Sequence, residues 1–474
     1  MIRVCYIPHG RDYYTIREIY KFFDDIEFIF VVKHKGAFEE AKREGFESYY
    51  MGDVFEQKSQ FTQRELLDLD LKYGPYGIRA ISNSDLYVPY LYKNQEQKDQ
   101  LVARAYKFWE EFFSRHKFDY VLVNDTGSID TRSAYNVVRA RKNPPIGRIT
   151  LGPKHDSVTI CDVGEEIYWS ELHNVLKGGV KALNDSQKKL VYDFIKVRGK
   201  QKQEITEFNL ICDLKCRLKK FFSLAREIVR AKLENDPADY ASARYSLSKL
   251  IRKTWWLYFT RNLLRYSKDK DGERFVYFPL FYKYEIMKKA LHHYWTQNQL
   301  ALIKEISESL PVGIRLYVKE HPGAQGNSSI RFLRKVRGIS NVRLLNPYIT
   351  GQDLIEKCEA VVNLDGTSGW EAYLRRKPVL NITSLIYFAK SNLVYKVGSP
   401  CELPRTLFTA IKKGSSIYTE NEDEWLWFIH SVISTCGEGV YIGIGSRDKT
   451  PENYKKMAKY AGDKIRRIVA GNGL

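Results

Sequence analysis

Two short motifs, separated by about forty residues, carry side chains suited to binding a phosphate. The first, Val318-Lys-Glu-His-Pro-Gly, and the second, Asn363-Leu-Asp-Gly-Thr-Ser-Gly-Trp-Glu-Ala, each follow a β-branched run. In α/β proteins, ligands bind beyond the carboxyl ends of the strands, where both motifs are predicted to lie. A helix predicted after the second motif would direct backbone N–H groups and a positive dipole end at an anion. The pair therefore predicts a nucleotide-phosphate site.

The residues of the first motif suggest how it would bind a nucleotide. His321 can donate a hydrogen bond to a phosphate or a base carbonyl, charged or neutral, near neutral pH. Pro322 holds the loop behind it rigid. Lys319 is a further nucleotide-binding candidate, but Lys319 and Glu320 alternate sides of the strand, so at most one of them faces the ligand. The alternative is that His321 merely ends the strand.

The second motif offers small residues and hydroxyls at a helix N-terminus. Backbone N–H groups can approach a phosphate closely there, and the candidates are Gly366, Thr367, Ser368 and Gly369. Glu371, in the first helical turn, can accept hydrogen bonds from ribose hydroxyls. An ordinary glycine turn and a carboxylate that only complements the helix dipole are the alternatives.

The bulk composition predicts a folded protein of two domains. A chain of 474 residues exceeds the size at which one hydrophobic core stops growing, and its hydrophobic content of 44% suffices for packed cores. No apolar run is long enough to span a bilayer, and the first residues read as a strand. The expected location is cytoplasmic, with peripheral attachment to the inner face of the membrane as an option.

The charge balance predicts an anionic partner. The net charge is +19, and residues 181–272 hold 22 Lys/Arg against 11 Asp/Glu, which is +11 of that total. Nucleic acid, anionic lipid and a phosphorylated substrate all fit such an excess, although a charge run can also be just a solvated face. The absence of a recognisable nucleic-acid module makes nucleic acid the weaker alternative.

Strand and helix patterns alternate in two parts of the chain, which predicts two α/β domains. Strands are predicted at 2–7, 26–33, 120–124, 146–151, 275–280, 314–318, 342–345, 360–364 and 379–382. Helical periodicity marks 14–23, 38–44, 97–116, 187–197, 214–233, 240–266, 285–310, 328–337, 353–358, 370–376 and 451–470. The less regular segment 49–92 is expected to hold long loops. Asp236-Pro237 separates two helices, with Asp239 as a plausible N-cap.

The ordered motifs resemble one known family. They run Phe275-Val-Tyr-Phe-Pro-Leu, Leu316-Tyr-Val-Lys-Glu-His-Pro-Gly, Asn341-Val-Arg-Leu-Leu, Gly366-Thr-Ser-Gly-Trp-Glu-Ala and Lys377-Pro-Val. This series resembles the capsular polysaccharide biosynthesis family of GT-B glycosyltransferases, many of them Kdo-transferase-like, mainly over 275–385. The resemblance implies two Rossmann-like domains facing a cleft, with a helical insertion and a C-terminal helix. The expected boundaries are 1–175 for the acceptor domain, 176–272 for the basic helical region, 273–445 for the nucleotide-sugar domain and 446–474 for a helix packing back on the first domain.

The resemblance also assigns roles to residues. It gives the His-Pro pair a nucleotide contact and Glu371 a ribose contact. Glu285 falls where family members often have a Glu, although the expected His and Gln-Pro beside it are replaced by Tyr282 and Lys283-Tyr284. Glu285 and Asn363 are possible donor contacts.

The acceptor-side catalyst is expected in the first domain. Asp125 follows a predicted strand and would act as general base in an inverting enzyme or as nucleophile in a retaining one. His9, on the first strand-to-helix loop, is the second catalytic candidate, and an Asx turn is the alternative role for Asp125. No Asp-x-Asp motif stands beside the nucleotide loops, so neither a metal nor a cofactor is predicted.

The predicted function is transfer of a sugar from a nucleotide-sugar donor to a glycan or lipid-linked acceptor, in surface or capsular polysaccharide synthesis. A CMP-sugar is preferred over a UDP-sugar. A sugar-nucleotide epimerase and a CDP-glycerol-type glycerophosphotransferase are alternatives within the same architecture. A basic nucleic-acid-binding protein is the alternative outside enzymes.

Overall fold

The structure is a computed structural model. It describes residues 1–8, 14–56, 59–74, 77–85, 87–124, 127–153, 157–163, 167–200, 210–256, 264, 266–281, 298–321, 324, 328–364, 366–382, 387–440 and 450–471. Four of the predicted site residues, His9, Asp125, Glu285 and Pro322, lie outside these ranges.

The chain forms two compact units. The first unit comprises Met1–Gly178, Phe222–Leu247 and Ser431–Leu474, and the second comprises Gly179–Phe221 and Ser248–His430. Each unit is built on one sheet of mainly parallel strands, and both sheets carry helices between successive strands. The predicted α/β class with two Rossmann-like sheets is therefore confirmed.

The strands are numbered along the chain. They are β1 (Ile2–Ile7), β2 (Ile26–Val32), β3 (Ser48–Tyr50), β4 (Tyr120–Val123), β5 (Ile146–Leu151), β6 (Ser157–Val163), β7 (Ile167–Tyr168), β8 (Phe275–Leu280), β9 (Arg315–Glu320), β10 (Val342–Leu345), β11 (Ala360–Asn363), β12 (Val379–Asn381), β13 (Tyr395–Lys396) and β14 (Gly437–Glu438). The first sheet has the order β14-β6-β5-β4-β1-β2-β3, with β7 beside β6. Strands β1 to β5 pair in parallel, whereas β6 is antiparallel to β5, β7 and β14.

The segment 49–92 is mostly helical, so the expectation of long loops there is wrong. Helices of the first unit span Tyr14–Tyr20, Lys35–Arg43, Asp53–Glu56, Gln63–Tyr73, Ile78–Ser84, Val88–Leu91, Gln95–Arg115, Ile129–Arg141, Ser170–Lys177 and Pro451–Val469. A capping box between Thr62 and Glu65 starts the helix Gln63–Tyr73. Leu66 and Leu69 of that helix are buried in the core, so local capping and tertiary burial together override the irregular sequence pattern.

The C-terminal helix completes the core of the first unit. Met457, Ala461 and Ile465 are buried in one cluster with side chains of β1 and β2. The Arg466 guanidinium donates to both carboxylate oxygens of Asp25 at 2.7 Å. The last segment of the chain therefore packs beside strands formed from the first.

Three long helices follow the first sheet, at Asp185–Lys200, Leu210–Leu233 and Pro237–Trp255. The cap of the third is Asp236 rather than Asp239, because its Oδ1 accepts the backbone N–H of Asp239 at 2.9 Å. Pro237 occupies the first helical position, where its missing N–H costs nothing, so the cap must precede it. Asp236 Oδ2 also accepts the N–H of Lys35 at 2.8 Å, which ties this helix to the carboxyl end of β2.

The second sheet has the order β10-β9-β8-β11-β12-β13, and its described pairings are all parallel. Its helices span Gln299–Glu308, Ile330–Arg337, Gly351–Lys357, Thr367–Leu374, Leu403–Lys413, Ser416–Thr419 and Glu422–Ser434, with short 3₁₀ helices at Tyr387–Lys390 and Pro400–Glu402. The strand order 3-2-1-4-5-6 is that of a dinucleotide-binding Rossmann sheet. Its switch point lies between β8 and β11, at the start of the second phosphate-binding motif.

Candidate functional site

Asn363, the last residue of β11, holds the loop after it in shape. Its side chain is fully buried. Oδ1 accepts the backbone N–H of Gly366 at 3.2 Å and the hydroxyl of Ser368 at 3.1 Å. Nδ2 donates to Oδ1 of Asn381 at 3.0 Å, at the matching position of β12. These contacts make Asn363 an organiser of the loop, and its predicted contact with the donor stays a prediction.

Gly366 and Gly369 are required by close packing. A Cβ on Gly366 would lie 2.8 Å from the ring of Phe281, and a Cβ on Gly369 would lie 2.4 Å from the ring of Phe388. Both would also crowd the Asn363 amide, at 3.0 and 2.7 Å. The glycines therefore let the loop settle onto the end of the sheet, which brings its backbone to the switch point.

The helix Thr367–Leu374 begins at this loop with Gly366 as its N-cap. No side-chain hydrogen bond caps this end among the described residues. The Gly369 N–H donates to the Gly366 carbonyl at 3.2 Å, so the N–H groups of Thr367 and Ser368 are the ones that face an anion. Thr367 is exposed, and Ser368 is half-buried with its hydroxyl bonded to Asn363. The helix end has the arrangement expected of a phosphate site.

Glu371 and Lys319 lie on the same face of the second sheet. Burial raises the pKa of Glu371, while the charges of Arg375, Arg198 and Lys319 act in the opposite direction. Burial lowers the pKa of Lys319 to about 8, and the charge of Glu371 opposes this. The Lys319 ammonium donates to the carbonyl of Pro347 at 3.3 Å. The half-buried Glu371 carboxylate and the buried Lys319 ammonium therefore attract each other at the carboxyl end of the sheet.

Glu320 points to the opposite face from Lys319, because side chains alternate along a strand. It shares that face with Leu316 and Val318, which belong to the hydrophobic core. Only 1% of Glu320 is exposed, and burial raises its pKa to about 7. The strand β9 runs to Glu320, two residues beyond the predicted end at Val318, because pairing with β8 continues to Leu280.

His321 directly follows β9 and is exposed. Its backbone carbonyl accepts the N–H of Ala324 at 2.8 Å, which turns the chain after the strand. Since β9 and β11 flank β8, His321 and the Asn363 loop leave the sheet at strand ends about 10 Å apart. A nucleotide could reach both.

Two residues near this site, Arg198 and Asn381, are not predicted from the sequence. Arg198 belongs to the helix Asp185–Lys200, within the predicted basic helical region. That helix packs Phe194 against Trp370, with ring centroids 6.4 Å apart. No local pattern marks Arg198. Asn381 carries a weak local signal, because Asn363 and Asn381 each lie near the end of a predicted strand, but only the sheet shows that those strands are neighbours.

Comparison with known proteins bears on this segment of the second unit. The family model for capsule polysaccharide biosynthesis proteins matches residues 282–389. The chain resembles that family. The predicted resemblance is thereby confirmed, and the matched segment contains the His321 turn, the Asn363 loop and Glu371. No curated protein matches the chain.

Solved structures give distant matches. A β-Kdo 2,4 transferase, KpsC of Thermosulfurimonas dismutans, is 13% identical with a TM-score of 0.36, covering 62% of this chain and 79% of its own. A UDP-GlcNAc 2-epimerase of Methanocaldococcus jannaschii is 10% identical with a TM-score of 0.31, covering 98% and 100%. A glycosyltransferase of Rickettsia africae is 10% identical with a TM-score of 0.32, covering 99% and 98%. Similarity this low transfers no activity to the chain.

The described residues contain neither a membrane-spanning helix nor a cluster of metal ligands. None of the helices within those ranges is long and apolar enough to cross a membrane. Within the same ranges, no three His, Cys, Asp or Glu side chains group as metal ligands.

Proposed function

We propose that this protein is a glycosyltransferase of capsule-type polysaccharide synthesis that uses a nucleotide-sugar donor. The acceptor is a glycan or a lipid-linked glycan. A CMP-sugar is the preferred donor and a UDP-sugar the second choice, on the resemblance of the His-Pro motif to that of CMP-sugar enzymes.

One observation carries this proposal. The loop Gly366–Gly369 is held by Asn363 at the switch point of a Rossmann-order sheet, and it lies inside the segment that matches the capsule polysaccharide biosynthesis family. A switch point beside a helix N-terminus is where such sheets bind nucleotide phosphates.

The chemistry divides among the residues as follows. The N-terminal N–H groups of the helix Thr367–Leu374 bind the donor phosphates, and Glu371 accepts hydrogen bonds from the ribose hydroxyls. His321 contacts the base or a phosphate. Neutralising the phosphates stabilises the nucleotide as a leaving group, which lowers the barrier to transfer. Asp125, with His9 as second choice, is the proposed base or nucleophile in the first unit.

Nucleotide binding is the direct test. CMP or UDP should raise the melting temperature of the protein, because a ligand that binds only the folded state stabilises it. Glu371→Gln and His321→Ala should weaken nucleotide affinity at least about tenfold, the loss expected for a charge-assisted hydrogen bond, and the rise in melting temperature should be smaller in both variants. Glu308→Gln, on an exposed helix end of the same unit, is the matched control and should bind like the wild type.

Transfer itself is tested with the nucleotide-sugar that binds best. Product should form only in the presence of an acceptor, and Asp125→Asn should abolish transfer while leaving nucleotide binding intact. Epimerised sugar nucleotide formed without an acceptor would contradict the proposal. So would a protein that ignores nucleotides but binds RNA or DNA in a salt-sensitive manner.

A further inference from the structure

The helix Leu210–Leu233 presents large apolar side chains to solvent. Leu218 is 50% exposed, Phe222 62%, Val229 59% and Leu233 82%, and Leu214 and Phe221 are also exposed. At 100° per residue, these six positions fall within an arc of about 120° on the helix surface. We call them the apolar stripe. Lys232, also exposed, falls in the same arc near the end of the helix. An exposed apolar stripe of this size marks an interaction surface, in contrast to scattered single side chains.

Basic residues border the apolar stripe. The helix carries seven Lys/Arg and two Asp/Glu, a net charge of +5. By the same projection, Lys215, Lys219 and Arg226 line one side of the stripe and Lys220 lies on the other. Within the described part of the chain, none of these four joins an ion pair. Their charge is therefore available to a partner.

The neighbouring helix Pro237–Trp255 adds apolar surface near the start of the apolar stripe. The Arg217 guanidinium donates to the hydroxyl of Thr254 at 3.2 Å. Trp255 and Ile251, within one turn of that contact, are 59% and 50% exposed. A tryptophan beside basic residues is the side chain enriched where protein meets the membrane–water interface.

The charge decides between possible partners. A second copy of the chain would bring two +5 surfaces together across a symmetric interface, which is repulsive. Nucleic acid would satisfy the charge but leave six large apolar side chains in water. A bilayer with anionic headgroups matches both features, because apolar side chains enter the acyl boundary while lysines contact the headgroups.

We propose that the helix Leu210–Leu233 is a membrane-docking surface that binds anionic phospholipid through the apolar stripe and its flanking lysines. The biological role of this surface rests on the proposed function, because a glycosyltransferase with a lipid-linked acceptor would bind that acceptor at a bilayer. Binding to lipid needs neither nucleotide nor turnover. Failure of one proposal can therefore be told from failure of the other.

Vesicle cosedimentation tests the surface. The full-length protein should sediment with vesicles of phosphatidylcholine containing about 30% phosphatidylglycerol and stay in solution with phosphatidylcholine alone. Replacing Leu214, Leu218 and Phe222 by Ser should weaken sedimentation at least about tenfold. Leu67→Ser with Leu71→Ser is the matched control, because these side chains are 56% and 75% exposed on another helix.

A second pair of variants tests the charge. Lys215→Glu with Lys219→Glu should weaken vesicle binding by about fivefold or more per residue. Lys455→Glu with Lys459→Glu, two exposed lysines of the C-terminal helix, should bind like the wild type. Raised salt should release the wild type but not a protein held by apolar contact alone.

Clear outcomes would overturn the proposal. The first is a wild-type protein that does not bind anionic vesicles. The second is a set of stripe variants that bind vesicles as well as the Leu67/Leu71 control does. The third is self-association through the apolar stripe without vesicle binding. Hydrogen exchange of the wild type guards against misfolded variants. The backbone amides of residues 214–233 should exchange more slowly when the protein is bound to anionic vesicles. Unchanged exchange there would also contradict the proposal.

Discussion

Asn363 and Asn381 end neighbouring parallel strands side by side, and the amide of Asn363 donates to the side-chain oxygen of Asn381 at 3.0 Å. This pairing fixes which way the Asn363 amide faces. Its oxygen is thereby directed at Gly366 N–H and the Ser368 hydroxyl. The conformation of the proposed phosphate loop thus depends on a side-chain hydrogen bond between two neighbouring strands.

Asn363→Ala should loosen that loop. Removing the side chain leaves the half-buried Gly366 N–H and the buried Asn381 amide without their partner, which costs about 2–3 kcal/mol of unfolding free energy. Nucleotide affinity should fall with it. Urea unfolding and nucleotide titration measure the two effects. Asn392→Ala, which removes an exposed amide bonded to Glu424, should change neither by more than about 0.5 kcal/mol.

Gly369→Ala should destabilise the second unit although alanine favours helices. The added methyl group would lie 2.4 Å from the Phe388 ring, and such overpacking costs about 1–3 kcal/mol. Thermal unfolding measures the loss. Gly398→Ala is the control, since its nearest neighbour is a flexible carboxylate 3.5 Å away. Equal stability of the Gly369 variant would contradict the packing role.

Glu320→Gln should stabilise the protein at alkaline but not at acidic pH. Burial raises the pKa of Glu320 from 4.5 to about 7, so the folded state holds the proton more tightly and loses stability as pH rises from 4.5 to 7. The cost reaches about 3 kcal/mol above pH 7. The glutamine variant should therefore exceed the wild type by up to about that amount at pH 8 and match it at pH 4. Urea unfolding midpoints of the wild type and the variant between pH 4 and pH 8 test this prediction.

Glu273→Gln should behave in the opposite way. The hydrogen bond from Arg343, with help from Tyr317 and Arg315, lowers the pKa of Glu273 to about 2. Its stabilisation is present above pH 4.5 and is lost as pH falls towards 2. The variant should be less stable by about 2–3 kcal/mol at pH 7, with the gap closing on acidification. The same urea unfolding series measures both glutamine variants. If the stability difference from the wild type changes with pH in the same direction for both, one of the two pKa shifts is wrong.

Asp236→Ala should cost more than the loss of an ordinary helix cap. It removes the cap on Asp239 N–H and the bond to Lys35 N–H together. Since Asp236 is buried, we expect a loss of about 2–3 kcal/mol in thermal unfolding. Asn184→Ala, which removes an exposed cap at the start of Asp185–Lys200, should cost about 1 kcal/mol. Equal costs would show that the Lys35 contact contributes nothing.

Nine of the fourteen strands in the described residues are predicted from the sequence, because each is a short apolar run bounded by turns. β1, β5, β8 and β10 have the predicted bounds. The loop Gly366–Gly369 is predicted for a similar reason, since glycine and hydroxyl residues after a strand are a local signal. β6 was missed because Ser157–Val163 mixes polar and apolar residues and is held by antiparallel pairing with β5.

Other parts of the site depend on contacts that no local pattern encodes. Lys319 and Glu320 are adjacent in sequence, and only the sheet decides which of them faces Glu371. The approach of Arg198 to Glu371 depends on how one long helix packs. The sequence predicts Asp239 as the cap because the helical periodicity starts at 240, whereas Pro237 is the first residue of the third helix and Asp236 is its cap.

The place of the C-terminal helix in the first core has a consequence for biosynthesis. Met457, Ala461 and Ile465 cover side chains of β1 and β2, so the first unit cannot bury that surface until residues 451–469 have left the ribosome. The second unit, whose strands and helices are synthesised earlier, can fold meanwhile. A protein truncated before residue 451 would keep an uncovered apolar sheet face, which invites aggregation.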